Sequence, residues 1–146
     1  MEKVLVTGAT GYIALHCVQQ LLDQGYAVNG SIRSPERKNE VIEALKNSGT
    51  STENLNLFVF DLTNDEGWDD GMEGCDDLLH VASPLALENH TEDYFVKPAV
   101  AGAKRALKFA KKHGVKKVVL TSSVAAIFET GEEKIFYDES DWSDPD

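Results

Sequence analysis

The stretch Val4-Leu5-Val6-Thr7-Gly8-Ala9-Thr10-Gly11-Tyr12-Ile13-Ala14 decides how the rest of the chain is read. A short apolar run stops at a glycine-bearing turn, and a helical pattern starts at once. The small residues fall at Gly8, Gly11 and Ala14. A glycine in such a turn takes backbone angles that a Cβ forbids. A second lets a phosphate approach the main chain, and a small third residue lets helix and strand pack closely. The new helix aims its unpaired N–H groups and its positive dipole end at the same spot. Glycine turns also occur in unrelated loops, so a plain β–α turn is the alternative. The strand before and the amphipathic helix after favour a dinucleotide site.

Working outward, 146 residues are enough for one domain with a core, taken as residues 1–146. A hydrophobic content of 42% reads as globular. No apolar stretch approaches the ~20 residues of a membrane span. The first residues enter a strand directly, so no secretory leader is expected. A formal charge of −11 argues against nonspecific nucleic-acid binding. It also requires a local basic spot for any anionic ligand. Cys17 and Cys75 form neither a CxxC pair nor a disulfide framework. Cys17 falls on the apolar side of the first helix and reads as a buried thiol; a reducing, cytoplasmic setting fits.

In chain order, Lys3–Thr7 reads as a strand covered on both faces. Ile13, Cys17, Val18, Leu21 and Leu22 recur at helical spacing, and Gly25 ends that helix. A second strand covers 26–32. Ser34 and Pro35 then look like the cap and first residue of a helix carrying Val41, Ile42 and Leu45. A third strand spans 55–60 and closes at Asp61-Leu62-Thr63. Asp61 stands at the ligand edge, and it also suits a cap for the following turn.

The acidic segment 65–74 reads as a short surface helix. Asp69, Asp70, Glu73, Asp76 and Asp77 lack the glycine and closing glutamate of a calcium loop, so no metal site is expected. A fourth strand, 78–82, ends at Ser83-Pro84. A long helix follows over 92–113, with Val96, Val100, Ala103, Leu107 and Ala110 as its apolar face. Lys104, Lys108, Lys111 and Lys112 lie off that face as a solvated back. Pro98 should kink this helix or mark its start. A fifth strand, 115–120, leads into Thr121-Ser122-Ser123. The histidines have no metal-ligand spacing, and His80 carries no assigned role. The strand–helix alternation gives an α/β fold with a doubly wound parallel sheet.

The end of the second strand decides the coenzyme. An acidic residue ~20 positions past the glycines would take the adenine-ribose hydroxyls and favour NAD. No Asp or Glu lies between Gly25 and Pro35; Arg33 stands there, with Arg37 and Lys38 just beyond. A guanidinium fork suits a phosphate, so NADP is expected. The alternative is that these are solvated charges, with Glu36 pairing one of them.

Thr7-Gly8-Ala9-Thr10-Gly11-Tyr12-Ile13 resembles the coenzyme turn of extended short-chain dehydrogenases/reductases. Four further segments resemble the dihydroflavonol reductase, cinnamoyl-CoA reductase and aldehyde/ketone reductase branch. They are Ser31-Ile32-Arg33-Ser34, His80-Val81-Ala82-Ser83-Pro84, Thr121-Ser122-Ser123-Val124-Ala125-Ala126 and Asp138-Glu139-Ser140-Asp141-Trp142. The third glycine of the family turn is here Ala14. The resemblance implies a Rossmann fold and an NADPH-dependent reductase of a small carbonyl substrate. It implies that Gly8, Thr10, Gly11, Tyr12 and Ile13 face the diphosphate, that Arg33 and Lys38 meet the 2′-phosphate, and that Asp61 and Leu62 border the adenine. It further implies that Val81, Ala82, Ser83 and Pro84 line the path to the nicotinamide with Thr121 and Ser122 nearby. Ser123 matches the serine that hydrogen-bonds the substrate carbonyl.

One departure stands out. The family's proton donor is a tyrosine with a lysine four residues later, and that lysine readies the phenol to give its proton. Four positions after Tyr137 stands Asp141, so Tyr137 is not that tyrosine. In the family the pair follows the segment matching 138–142. The last strand and the substrate lobe are also expected to be missing. The expectation is the N-terminal portion of a longer enzyme, inactive alone. Two other readings stay open: a non-catalytic NADP-binding module, and an NAD-dependent sugar-nucleotide epimerase or dehydratase. Substrate identity and oligomeric state stay open too.

Overall fold

The structure is a computed structural model that describes residues 1–84, 92–128 and 134–143. Five strands, β1 (Lys3–Val6), β2 (Ala27–Ile32), β3 (Leu55–Val59), β4 (Asp77–His80) and β5 (Lys117–Leu120), form one parallel sheet ordered β3-β2-β1-β4-β5. The chain winds outward from β1 to one side through β2 and β3, then returns to lay β4 and β5 on the other. The strand order therefore reverses at β1, whose C-terminal end runs into the Gly8 turn. A crevice opens at such a point, outside the carboxyl ends of the strands.

The apolar alternation of β1 explains the layers. Side chains of a strand point alternately to opposite faces. Val4 and Val6 pack with Ala14 and Val18 of α1 (Tyr12–Asp23) and Val41 and Leu45 of α2 (Lys38–Asn47). Leu5 points the other way. It packs with Leu78, with Trp68 and Met72 of α3 (Trp68–Met72), and with Ala106, Phe109 and Ala110 of α4 (Glu92–Lys112). Both faces of β1 are thus covered, as its unbroken apolar sequence requires. A short helix, α5 (Ala125–Phe128), follows β5.

Several expectations need correction. Ser34 makes no side-chain cap bond; Pro35–Arg37 form a single 3₁₀ turn before α2. The acidic helix is shorter than 65–74 because it starts only after Gly67, whose φ is +77°. A Cβ on Gly67 would lie 2.5 Å from the Val59 carbonyl oxygen. Cys17 is half-buried, not fully buried, while Cys75 is buried. Burial pushes the Cys75 thiol up to about 11, so it stays protonated and unreactive.

Helix α4 is the largest revision. Its buried stripe is Gly102, Ala106, Phe109 and Ala110, while Val96, Val100 and Leu107 are exposed. Small residues win because the helix lies close to its neighbour: a Cβ on Gly102 would meet the Leu62 side chain at 3.1 Å. Its basic side is not simply solvated. Lys108 and Arg105 pair with Asp65, and Lys112 and His113 pair with Asp69. The helix runs through Pro98.

Candidate functional site

The crevice at the β1 end holds a cavity of about 540 Å³. One end is the turn read from the sequence: Gly8, Thr10, Gly11, Tyr12 and Ile13 all line it, with Ala14. Gly8 has φ +74°, and an added Cβ would meet Ala82 Cβ at 3.0 Å. A Cβ on Gly11 would sit 3.2 Å from the Gly8 carbonyl oxygen. The space that a phosphate needs is the space that these side chains would fill. Gly11 is the N-cap of α1 and supplies no side-chain hydrogen bond. The first amides of a helix have no acceptor within it, so those of Tyr12, Ile13 and Ala14 face the cavity end as donors. The turn is pinned from β2: Ser31 Oγ accepts the Gly8 N–H at 2.8 Å, and the Ser31 carbonyl accepts that of Ala9 at 2.8 Å.

The other end is cationic. Arg33 and Arg37 line the cavity; Lys38 does not, and it is exposed at the start of α2. Arg37 is the last residue of the 3₁₀ turn Pro35–Arg37, and Lys38 is the first of α2. Arg37 donates through Nε and Nη2 to the Glu40 carboxylate, the shortest contact being 2.8 Å.

Between the two ends lie the remaining walls. Phe60, Asp61, Leu62 and Thr63 form one, and Val81, Ala82, Ser83 and Pro84 the other. Burial pushes the Asp61 carboxyl up, but the Thr63 hydroxyl and amide, with Arg33 and Arg105, outweigh it and hold the group below the usual carboxylate range. Thr63 donates to Asp61 Oδ1 from its amide at 2.8 Å and its hydroxyl at 2.6 Å. Both sequence roles of Asp61 therefore coexist: it closes a turn and lines the cavity. Arg105 donates to the Leu62 carbonyl, and Trp68 Nε1 donates to that of Asp61 at 2.9 Å.

Thr121, Ser122 and Ser123 leave β5 at the same sheet edge, but they are exposed and do not line this cavity. Ser123 Oγ accepts the Ala125 amide at 3.3 Å and opens α5. The segment matching 138–142 folds back on that helix, with the Ser143 amide donating to the Ala126 carbonyl at 2.8 Å.

Sequence reasoning noted Arg37 among the basic residues but gave the phosphate to Arg33 and Lys38, and it assigned no site role to Pro98 or to the buried pair Thr7–His80. Pro98 lines the cavity from α4. Thr7 is 0% and His80 3% exposed, and their side chains meet at 3.0 Å beneath the Val81-Ala82 wall. The available signal was a polar residue ending each of two neighbouring apolar strands.

Comparison with known proteins follows the same outline. The chain is 37% identical over 145 residues to dihydroflavonol 4-reductase of Solanum lycopersicum, a match covering 98% of this chain and 38% of that one. It is 39% identical over 147 residues to vestitone reductase of Medicago sativa, covering 99% of this chain and 45% of that one. The crystal structure of yeast methylglyoxal/isovaleraldehyde reductase Gre2 complexed with NADPH superposes with a TM-score of 0.83 at 33% identity, covering 97% of this chain and 44% of that one. The chain thus spans less than half the length of these relatives. The model of the NAD dependent epimerase/dehydratase family matches residues 4–145, nearly the whole sequence and every element that builds the cavity. The chain therefore belongs to the NAD dependent epimerase/dehydratase family.

Proposed function

We propose that this chain is the coenzyme-holding portion of an NADPH-dependent reductase of aldehydes or ketones. One observation carries the reading: a single cavity is lined at one end by Tyr12, Ile13 and Ala14, whose amides have no acceptor within α1, and at the other by Arg33 and Arg37. The first end suits a diphosphate and the second the extra phosphate of NADP. Asp61 and Leu62 border the adenine in this reading, and Val81, Ala82, Ser83 and Pro84 flank the nicotinamide. The names of the tomato, alfalfa and yeast relatives as reductases, and the NADPH in the yeast complex, support it.

The coenzyme, when bound, supplies a hydride. The chain's own residues would bind it, orient it and keep water from its faces. Ser123 would donate a hydrogen bond to the substrate carbonyl, with Thr121 and Ser122 beside the nicotinamide ribose. Tyr137 does not match the family's proton donor, because Asp141 and not a lysine stands four positions on. The Tyr137 hydroxyl accepts the Lys134 amide at 3.3 Å, and Lys134 Nζ pairs with Asp141 at 2.5 Å. That arrangement favours a second reading, a binding module that holds NADP without reducing anything. Among the described residues no helix is long and apolar enough to cross a membrane.

Calorimetric titration with NADPH and NADH tests the coenzyme. NADPH should bind about tenfold or more tightly than NADH; equal affinities overturn the reading. In turnover assays at high protein concentration the 146 residues alone are expected to show negligible carbonyl reduction, and measurable reduction would overturn both that expectation and the binding-module reading.

A further inference from the structure

Beneath the cavity lies a polar cluster, Thr7 and His80, whose members do not line it. Thr7 Oγ1 accepts the amide protons of Val81 and Ala82, each at 3.0 Å, and meets His80 Nδ1 at 3.0 Å. A hydroxyl has two acceptor sites and one proton. Both acceptor sites are taken by the amides, so the proton must point at His80. Nδ1 is therefore the acceptor, and the ring carries its hydrogen on Nε2.

The network sits where the sheet ends. Thr7 closes β1 and His80 closes β4, and the His80 carbonyl accepts the Thr121 amide at 3.0 Å as β5 ends. The chain beyond His80 has no further strand to fix it. The Thr7 hydroxyl takes over, drawing the Val81-Ala82 backbone across the turn until Ala82 Cβ occupies the space that a Gly8 side chain would need. A threonine with a freely rotating hydroxyl could leave one of those amides unpaired. The histidine acceptor fixes the rotor.

We propose that His80 is a positioning residue which, by orienting the Thr7 hydroxyl, holds the Val81-Ala82 backbone and so shapes the nicotinamide-side wall of the cavity. The proposal rests on the coenzyme reading above. It requires an effect confined to one half of the coenzyme.

The test titrates the full chain and three variants with NADPH and with adenosine 2′,5′-bisphosphate, which carries the adenine half and no nicotinamide. Thr7→Val keeps the branching and drops the hydroxyl. His80→Leu offers no acceptor, and His80→Asn sets a carbonyl oxygen near the place of Nδ1. Thr7→Val and His80→Leu should weaken NADPH by about tenfold or more while the bisphosphate stays within about twofold, and His80→Asn should recover most of the loss. Equal weakening of both ligands, or unchanged NADPH binding, overturns the proposal. A wild-type chain that binds neither ligand removes the coenzyme reading, and the proposal falls with it. If a variant fails to fold, nitrogen NMR of the wild-type ring still decides. It should find Nδ1 bare and Nε2 protonated at neutral pH; the opposite tautomer or a charged ring overturns the assignment.

Discussion

At the residue scale, the two arginines make the coenzyme reading quantitative. Arg33 lines the cavity with Asp61, whose carboxyl its charge helps hold low. Losing its charge-assisted bonds to a phosphate should cost NADPH about ten- to a hundredfold in affinity in Arg33→Ala and leave NADH unchanged, read by calorimetry. Arg37 is shared with Glu40, whose side chain is 56% exposed. A surface pair of that kind is weak. Glu40→Gln should therefore free the fork and tighten NADPH by about two- to fivefold, whereas Lys38→Ala should change nothing. His80 adds a pH dependence. Burial lowers its pKa from an ordinary value near 6.5, so the folded chain prefers the neutral ring. Below about pH 6.5 the unfolded chain binds the extra proton. That part of the stability is complete above this pH and is lost as the pH falls towards the folded value. Asp65, Asp69 and Asp76, held low chiefly by hydrogen bonds from Lys108, Lys112 and Lys116 respectively, act in the same direction only near and below about pH 4. Urea melts at pH 7.5, 6 and 5 should show a decline that His80→Asn flattens. A wild-type profile flat across that range contradicts the assignment.

At the scale of elements, α3 shows how a short helix is held. It has only five residues, too few to persist alone. Its anchor is Trp68, fully buried and stacked on Phe109 at 5.7 Å between ring centres, with Nε1 on the Asp61 carbonyl. Trp68→Ala should cost about 3–5 kcal/mol in chemical denaturation. Trp68→Phe should cost less and act mainly through the wall at Asp61. The sequence made most elements legible because period-two and period-3.6 patterns are local. The glycine turn was legible because its φ and close contacts demand particular residues. What escaped depended on partners remote in the chain. The face of α4 could not be read from apolarity alone, since Leu62 fixes how close the helix comes and so selects Gly102 and Ala106 over Val100 and Leu107. The choice of Lys38 over Arg37 failed for a similar reason. The string Ser34-Pro35-Glu36-Arg37-Lys38 does not itself say whether a 3₁₀ turn precedes the helix, nor which of its two basic side chains lines the cavity.

At the scale of the whole molecule, apolar surface and net charge oppose each other. Val96, Val100 and Leu107 form one exposed stripe on α4, and Val119 and Leu120 are about half exposed on β5. Among the described strands β5 has a neighbour on one side only. Contiguous exposed apolar patches and open strand edges favour association. The formal charge of −11 works against it, because two copies repel. Salt screens that repulsion within about 8 Å at physiological ionic strength and leaves the apolar term intact. Raising sodium chloride from about 0.05 to about 0.5 M should therefore strengthen self-association in sedimentation velocity. If ion pairs held the copies together instead, the same change would weaken it. The double variant Val100→Glu and Leu107→Glu places charges in the stripe, away from the cavity lining. It should sediment as a monomer at concentrations where the parent chain associates, and it should bind NADPH as the parent does. A variant that still associates would move the contact off α4 and onto the edge of β5.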